Sequence, residues 1–129
     1  TPDVLVGDDL VTDIKSPWSL STFAKYAGHV PTEKYPAPNA NYFWQLQAYM
    51  WVTGRKRAEL AYVLRNTPKH LLQNKKDIQE WYDYEKEIPL KERVKLFAIP
   101  RSNDHICRIE KRVIECRAYL KEIIIPENS

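Results

Sequence analysis

Three side chains near the start of the chain, those of Asp3, Asp13 and Lys15, could act together on a phosphate. Carboxylate oxygens are hard ligands that suit Mg²⁺ or Mn²⁺. A metal ion, a water molecule and a phosphate could therefore share one surface with the two carboxylates, with the lysine ammonium beside them. The condition is that the fold brings Asp3 to Asp13, which are not neighbours in the sequence.

A β-hairpin would meet that condition. Segments 2–6 and 10–15 have the composition of strands, and Gly-Asp-Asp at 7–9 is a turn signal between them. If the turn consists of those three residues, Asp3 lies opposite Asp13, with Cβ atoms roughly 4.5–5.5 Å apart. Two opposed carboxylates repel each other, and a divalent cation between them would compensate for the repulsion.

The two faces of this hairpin differ in character. Lys15 shares the face of Asp13, because the side chains of a strand repeat every two residues. The other face is mostly apolar and is expected to pack on the core; it carries Pro2, Val4, Val6, Leu10, Thr12 and Ile14. A solvent-facing edge hairpin with scattered charges is the alternative interpretation.

A second polar pair lies in a predicted helix. Residues 41–53 are apolar nearly all round, and Gly54 is well placed to end the helix. Gln45 and Tyr49 are four positions apart and share one face of it. A buried glutamine needs hydrogen-bond partners. Gln45 therefore either lines a polar cleft or is satisfied by backbone, with Tyr49 as packing.

These segments together resemble a known family. Pro-Asp at 2–3 followed by Asp-Ile-Lys at 13–15 resembles the PD-(D/E)XK nuclease signature, and residues 45–49 resemble the QxxxY motif of its RecB-type, lambda-exonuclease/YqaJ-like branch. The strings DIKSP, YFWQLQAYMWVTG and AELAYVL are similar to phage YqaJ-like recombination exonucleases in particular. The resemblance extends over residues 1 to about 65, and the motifs after that are weak.

The resemblance implies a metal-dependent site. Asp3 and Asp13 would ligate Mg²⁺ or Mn²⁺ together with the backbone carbonyl of Ile14. Lys15 would orient or deprotonate the attacking water and offset charge on the pentavalent phosphate. Phosphodiester hydrolysis needs both an activated water and stabilisation of negative charge, which such a site supplies.

The resemblance also implies further residues and an activity. Gln45 and Tyr49 would fix the active site or the DNA backbone, and Ser16 would touch phosphate. The expected activity is a magnesium-dependent exonuclease on double-stranded DNA in phage or bacterial recombination or repair. The expected location is the cytoplasm of a bacterial or phage-infected cell. A homo-oligomer and a recombination partner protein are further expectations.

Two alternatives of other kinds remain open. One is a non-catalytic DNA-binding or assembly domain with a degenerate nuclease fold, and the other is a restriction-type endonuclease. Many members of the resembled family take another acid from a helix upstream of the Pro-Asp motif. We therefore expect residues 1–129 to be one nuclease domain that lacks its N-terminal helix or is part of a longer chain.

The remaining segments predict an α/β fold with a mixed central sheet flanked by helices, a restriction-endonuclease-like core. We expect a serine-capped helix, a proline-rich loop, a buried strand, a long polar helix, a further strand and a final charged helix. Their ranges are 19–26, 27–40, 58–65, 67–86, 92–99 and 102–124, respectively.

Composition excludes some classes of function. The net charge of +3 permits nucleic-acid binding without arguing for it. With three glycines there is no glycine-rich phosphate loop, which argues against a nucleotide triphosphatase. No apolar run approaches the length of a membrane span, so no membrane contact is expected. Among the aromatic residues, Trp18 is the candidate for stacking on a base, because it follows the predicted strand.

Overall fold

The strands form a mixed sheet, as predicted. The computed structural model describes residues 1–34 and 39–124. In this part of the chain one four-stranded sheet has the order β1-β2-β3-β4, and only β2 and β3 are parallel neighbours. The strands are β1 (Val4–Val6), β2 (Leu10–Lys15), β3 (Arg57–Val63) and β4 (Val94–Pro100).

The main helices also agree with the sequence predictions. Helix α1 begins after Ser19, whose Oγ accepts a hydrogen bond from the backbone N–H of Thr22 at 3.2 Å. Gly54 follows α2 with a φ of 71°, which suits glycine at a helix end. Residues 35–38 of the predicted loop lie outside the described residues. The helices are α1 (Leu20–Ala27), α2 (Asn39–Thr53), α3 (Lys75–Glu80), α4 (Tyr84–Glu87), α5 (Leu90–Arg93) and α6 (Asn103–Ile124).

The predicted long helix at 67–86 is wrong. The structure has a 3₁₀ turn and the short helices α3 and α4 there instead. Asn74 starts α3 by accepting from the backbone N–H of Asp77 at 2.8 Å, and Asp83 starts α4 by accepting from that of Lys86 at 3.1 Å. Side chains that bond the local backbone in this way compete with a continuous helix. Helix α5 likewise delays β4, which begins at Val94 rather than 92.

The hairpin has the predicted register but the opposite face is buried. Val4 pairs with Thr12 and Val6 with Leu10, as expected. However, Ile14 is 43% exposed, whereas Asp13 on the other face is 2% exposed. The reason is that α2 covers the Asp13 face of the sheet. The buried core on that face comprises Val11, Ala27, Leu46, Met50, Ala58, Leu60, Tyr62, Phe97 and Ile99.

Two further features complete the fold. Cys107 and Cys116 are both free and exposed on α6. Within residues 1–34 and 39–124, no helix has the length and apolar character needed to cross a bilayer.

The start of α2 is fixed by a buried hydrogen-bond chain. The Asn39 side chain accepts from the Tyr62 hydroxyl and donates to the Tyr26 carbonyl, the latter at 3.1 Å. Burial raises the pKa of the Tyr62 hydroxyl, so it remains a proton donor. Asn39→Ala leaves both partners unpaired and should lower the free energy of unfolding by about 2–3 kcal/mol in urea titrations. Tyr62→Phe leaves only one oxygen unpaired, so a loss as large as that of Asn39→Ala would contradict this account.

Asp83 should make stability depend on pH. Its carboxylate accepts from the Asn66 side chain at 2.7 Å and from the Lys86 backbone, and these hydrogen bonds hold its pKa below the ordinary 3.8. A carboxylate whose pKa is lower in the folded state stabilises the fold at pH values above its unfolded-state pKa. That stabilisation disappears as pH falls through the folded-state pKa. Asp83→Asn should therefore lower the melting temperature near neutral pH, with a deficit that shrinks in acid. A deficit independent of pH would contradict the assignment.

Candidate active site

The buried Asp13 carboxylate and the partly exposed Lys15 ammonium form an ion pair at the end of β2. The Lys15 Nζ lies 2.6 Å from Asp13 Oδ2, and both side chains are on the face covered by α2. Burial raises the pKa of Asp13, and the Lys15 ammonium opposes that shift. The Asp3 carboxylate lies close enough to raise the pKa of Asp13 further. The hairpin thus brings the three predicted residues together.

The Asp3 side chain contacts the backbone of β2. Asp3 Oδ2 accepts a hydrogen bond from the Ile14 N–H at 2.7 Å. The strand ladder has ended by this point, since β1 begins at Val4 and Pro2 has no N–H to donate. The N–H and C=O of one strand residue point to the same side. The Ile14 carbonyl therefore faces the Asp3 side of β2, where residues 1–34 and 39–124 place no ladder donor opposite it.

The oxygen atoms at this point fit a hard divalent cation. Asp13 Oδ2 is buried and, among the described residues, contacts the Lys15 ammonium without a well-aligned hydrogen bond. Two carboxylates and the Ile14 carbonyl are the donor types that Mg²⁺ prefers, with water completing its shell. Within the described ranges no three His, Cys, Asp or Glu residues cluster as a metal site. The oxygen donors that the hairpin offers at this point are the Asp3 and Asp13 carboxylates and the Ile14 carbonyl.

Gln45 and Tyr49 connect α2 to the segment that carries Asp3. Gln45 Nε2 donates to the Tyr49 hydroxyl at 2.6 Å, and that hydroxyl donates to the Thr1 carbonyl at 3.0 Å. The buried glutamine satisfied by backbone is Gln47, which sequence reasoning missed. Its amide donates to the Pro100 carbonyl and accepts from the Ser102 N–H, each at 2.9 Å.

Ser16 and Lys15 border one open cavity of about 260 Å³. The Lys15 Nζ also lies 4.6 Å from the centre of the Tyr42 ring, a cation–π contact that restrains it. Tyr62 lies beside Lys15 because these two residues are paired in the parallel ladder. Neither tyrosine was predicted as part of the site, since only the β2–β3 register could have revealed Tyr62. The cavity is lined by Lys15, Ser16, Trp18, Thr22, Tyr42 and Tyr62, among others.

The ion pair between Asp13 and Lys15 should contribute to the free energy of unfolding when no metal is bound. Lys15→Met leaves the Asp13 carboxylate buried and unpaired, and should cost about 3 kcal/mol of unfolding free energy in EDTA. The double variant Asp13→Asn, Lys15→Met removes the orphaned charge and should recover much of the loss. Urea titrations of both variants measure this. A double variant no more stable than Lys15→Met would show that the ion pair is not what stabilises this region.

The fold of the chain is similar to solved structures of exonucleases. No protein-family model matches the chain, and no curated protein matches it. A phage-related exonuclease from Haemophilus somnus 129PT has a TM-score of 0.75 and 29% identity over 89% of this chain and 50% of that one. The alkaline exonuclease LHK-Exo from Laribacter hongkongensis has a TM-score of 0.62 and 24% sequence identity. The match covers 95% of this chain and 48% of that one.

The same exonuclease in complex with dAMP gives a TM-score of 0.56 and 24% identity over 95% of this chain and 52% of that one. The chain thus spans about half the length of these structures. The predicted α/β fold with a mixed sheet is confirmed, and it is the fold of phage-related and alkaline exonucleases.

Proposed function

We propose that this chain carries the catalytic site of a magnesium-dependent DNA exonuclease. The observation that supports this most is the ion pair of the buried Asp13 with Lys15, beside Asp3 and the Ile14 carbonyl, in a fold shared with exonucleases. A buried, desolvated carboxylate with a titration shift next to a cavity is typical of a functional site.

The reaction would be hydrolysis of a phosphodiester. A divalent cation held by Asp3, Asp13 and the Ile14 carbonyl would lower the pKa of a bound water and polarise a phosphoryl oxygen. The attacking water would lose one proton as its oxygen bonds to phosphorus, the bond from phosphorus to the leaving nucleotide oxygen would break, and that oxygen would take up one proton, so that protons balance. Lys15 Nζ would stabilise the negative charge that develops on the phosphoryl oxygens and orient the water.

The neighbouring residues would position these groups. Tyr49 holds the backbone just before Asp3, and Gln45 holds the Tyr49 hydroxyl. Both side chains would thereby set the distance between Asp3 and Asp13, or contact the DNA backbone. Ser16 opens into the cavity that contains Lys15, where its hydroxyl could donate to a phosphate oxygen.

We infer double-stranded DNA ends as the substrate and phage or bacterial recombination or repair as the setting, in the cytoplasm of a bacterial or phage-infected cell. The phage-related Haemophilus structure supports this setting. Assembly into a homo-oligomer and action with a recombination partner protein are part of the same proposal.

A non-catalytic DNA-binding or assembly domain is the second candidate. The observation that favours it is that the described residues bring only two carboxylates to the site. A restriction-type endonuclease would use the same groups as the exonuclease. Cleavage assays separate the three candidates.

The test is digestion of linear and closed-circular duplex DNA in Mg²⁺, Mn²⁺ or EDTA. The linear substrate alone should be degraded, in either metal and not in EDTA. Lys15→Ala should lower the rate at least roughly 100-fold, because it removes charge stabilisation at the phosphate. Lys111→Ala, an exposed lysine of α6, is the matched control and should retain full activity.

Other cleavage results would favour one of the alternative functions or exclude this site. Cutting of the circle would indicate an endonuclease. DNA binding without cleavage in either metal, unchanged in Asp13→Asn, would support the non-catalytic domain. Equal rates for Lys15→Ala and the unaltered protein would exclude this site as the catalytic one.

A further inference from the structure

A second cavity of about 330 Å³ lies between the start of α1 and the segment that joins β3 to α5. Four aromatic residues line it: Trp18, Trp81, Tyr82 and Tyr84. We call it the aromatic cavity. Ser19, Ser21 and Thr67 also line it, so its wall is partly polar and differs from a gap in the apolar core.

The aromatic cavity continues from the candidate active site. Trp18 borders both this cavity and the one that contains Lys15 and Ser16. Its side chain is 61% exposed, which is unusual for an indole that serves only as packing. A DNA strand bound with one phosphate at Lys15 would therefore contact Trp18 next.

The rings are held in place by the backbone. Trp81 Nε1 donates to the Thr67 carbonyl at 2.9 Å, and the Tyr84 hydroxyl accepts from the Leu20 N–H at 3.3 Å. Tyr82 lies against Tyr84, with ring centroids 5.3 Å apart. Aromatic surface that is already ordered loses little conformational entropy when a planar group stacks on it.

The charges in the cavity favour a base over a phosphate. Asp77 and Glu80 are among the lining residues. Carboxylates repel phosphate, but they accept hydrogen bonds from the amino groups at the edges of nucleobases. Aromatic faces stack on any base, so such a cavity accepts bases with little regard to sequence. Lys69, 4.6 Å from the centre of the Trp81 ring, adds a positive charge beside the wall.

We propose that the aromatic cavity binds an unpaired nucleobase of the DNA strand whose phosphate lies at Lys15. The inference rests on the proposed function, because the strand is placed by that site. It adds a requirement that the strand be separated from its complement at this point. Trp18 and Tyr82 are the residues that would stack, since both expose ring surface to the solvent.

The test compares two single-stranded oligonucleotides of equal length and charge, one with bases and one abasic. Affinities are measured by fluorescence anisotropy in EDTA, so that no cleavage occurs. The unaltered protein should bind the base-bearing strand roughly five- to 150-fold more tightly, the range expected for one stacked base. Trp18→Ala and Tyr82→Ala should each reduce that ratio toward one, without changing affinity for the abasic strand.

The matched control is Tyr119→Ala, a tyrosine on α6 that is about as exposed as Trp18 and lies far along the chain from the cavity lining. It should leave the ratio unchanged, and circular dichroism verifies that each variant is folded. Tyr82 is half exposed, so its replacement tests the cavity even if Trp18→Ala were to unfold. Equal binding of both strands, no binding of either, or an unchanged ratio in both variants would overturn the proposal.

This outcome is separable from the proposed function. Absence of cleavage in every metal, with a base-dependent ratio that Trp18→Ala removes, would reject the nuclease and retain the base-binding cavity. Metal-dependent cleavage by a protein that binds the base-bearing and abasic strands equally would retain the nuclease and reject the base-binding cavity.

Discussion

The structure depends on the burial of the Asp13 carboxylate on an inner strand. Removing a charge from water is costly unless a partner compensates, and here Lys15 lies 2.6 Å away. The surroundings that impose the cost are apolar, with Val11 on the same strand and Leu60 on the next. The same low-dielectric surroundings strengthen every electrostatic interaction made there, including one with a phosphate or a cation.

The elements around Asp13 fit this constraint. Strand β1 is short and ends its ladder before Ile14, so a side chain rather than a backbone group meets the Ile14 N–H. Helix α2 packs its Leu46 and Met50 on the sheet and uses Tyr49 to hold the segment before Asp3. One helix therefore both creates the buried environment and positions the second carboxylate.

Local features were predictable from the sequence, and features set by distant elements were not. The hairpin register follows from the turn and the period of two, and Ser19 and Gly54 mark helix ends. The buried face of the hairpin was mispredicted because both faces carry apolar residues, and packing by α2 decides between them. The Arg108–Glu33 hydrogen bond of 2.9 Å, like the position of Tyr62 beside Lys15, joins segments that no local pattern relates. The roles of the site residues stay predictions.

The failed helix prediction and the aromatic cavity have one cause. In a continuous helix, consecutive side chains point about 100° apart, so Tyr82 would have pointed away from the face shared by Trp81 and Tyr84. Instead α3 ends at Glu80 and Asp83 caps the start of α4, and the break lets all three rings line one cavity with Trp18. A segment that gives up regular hydrogen bonding to expose ordered rings departs from what stability alone favours, and such departures concentrate at sites of function.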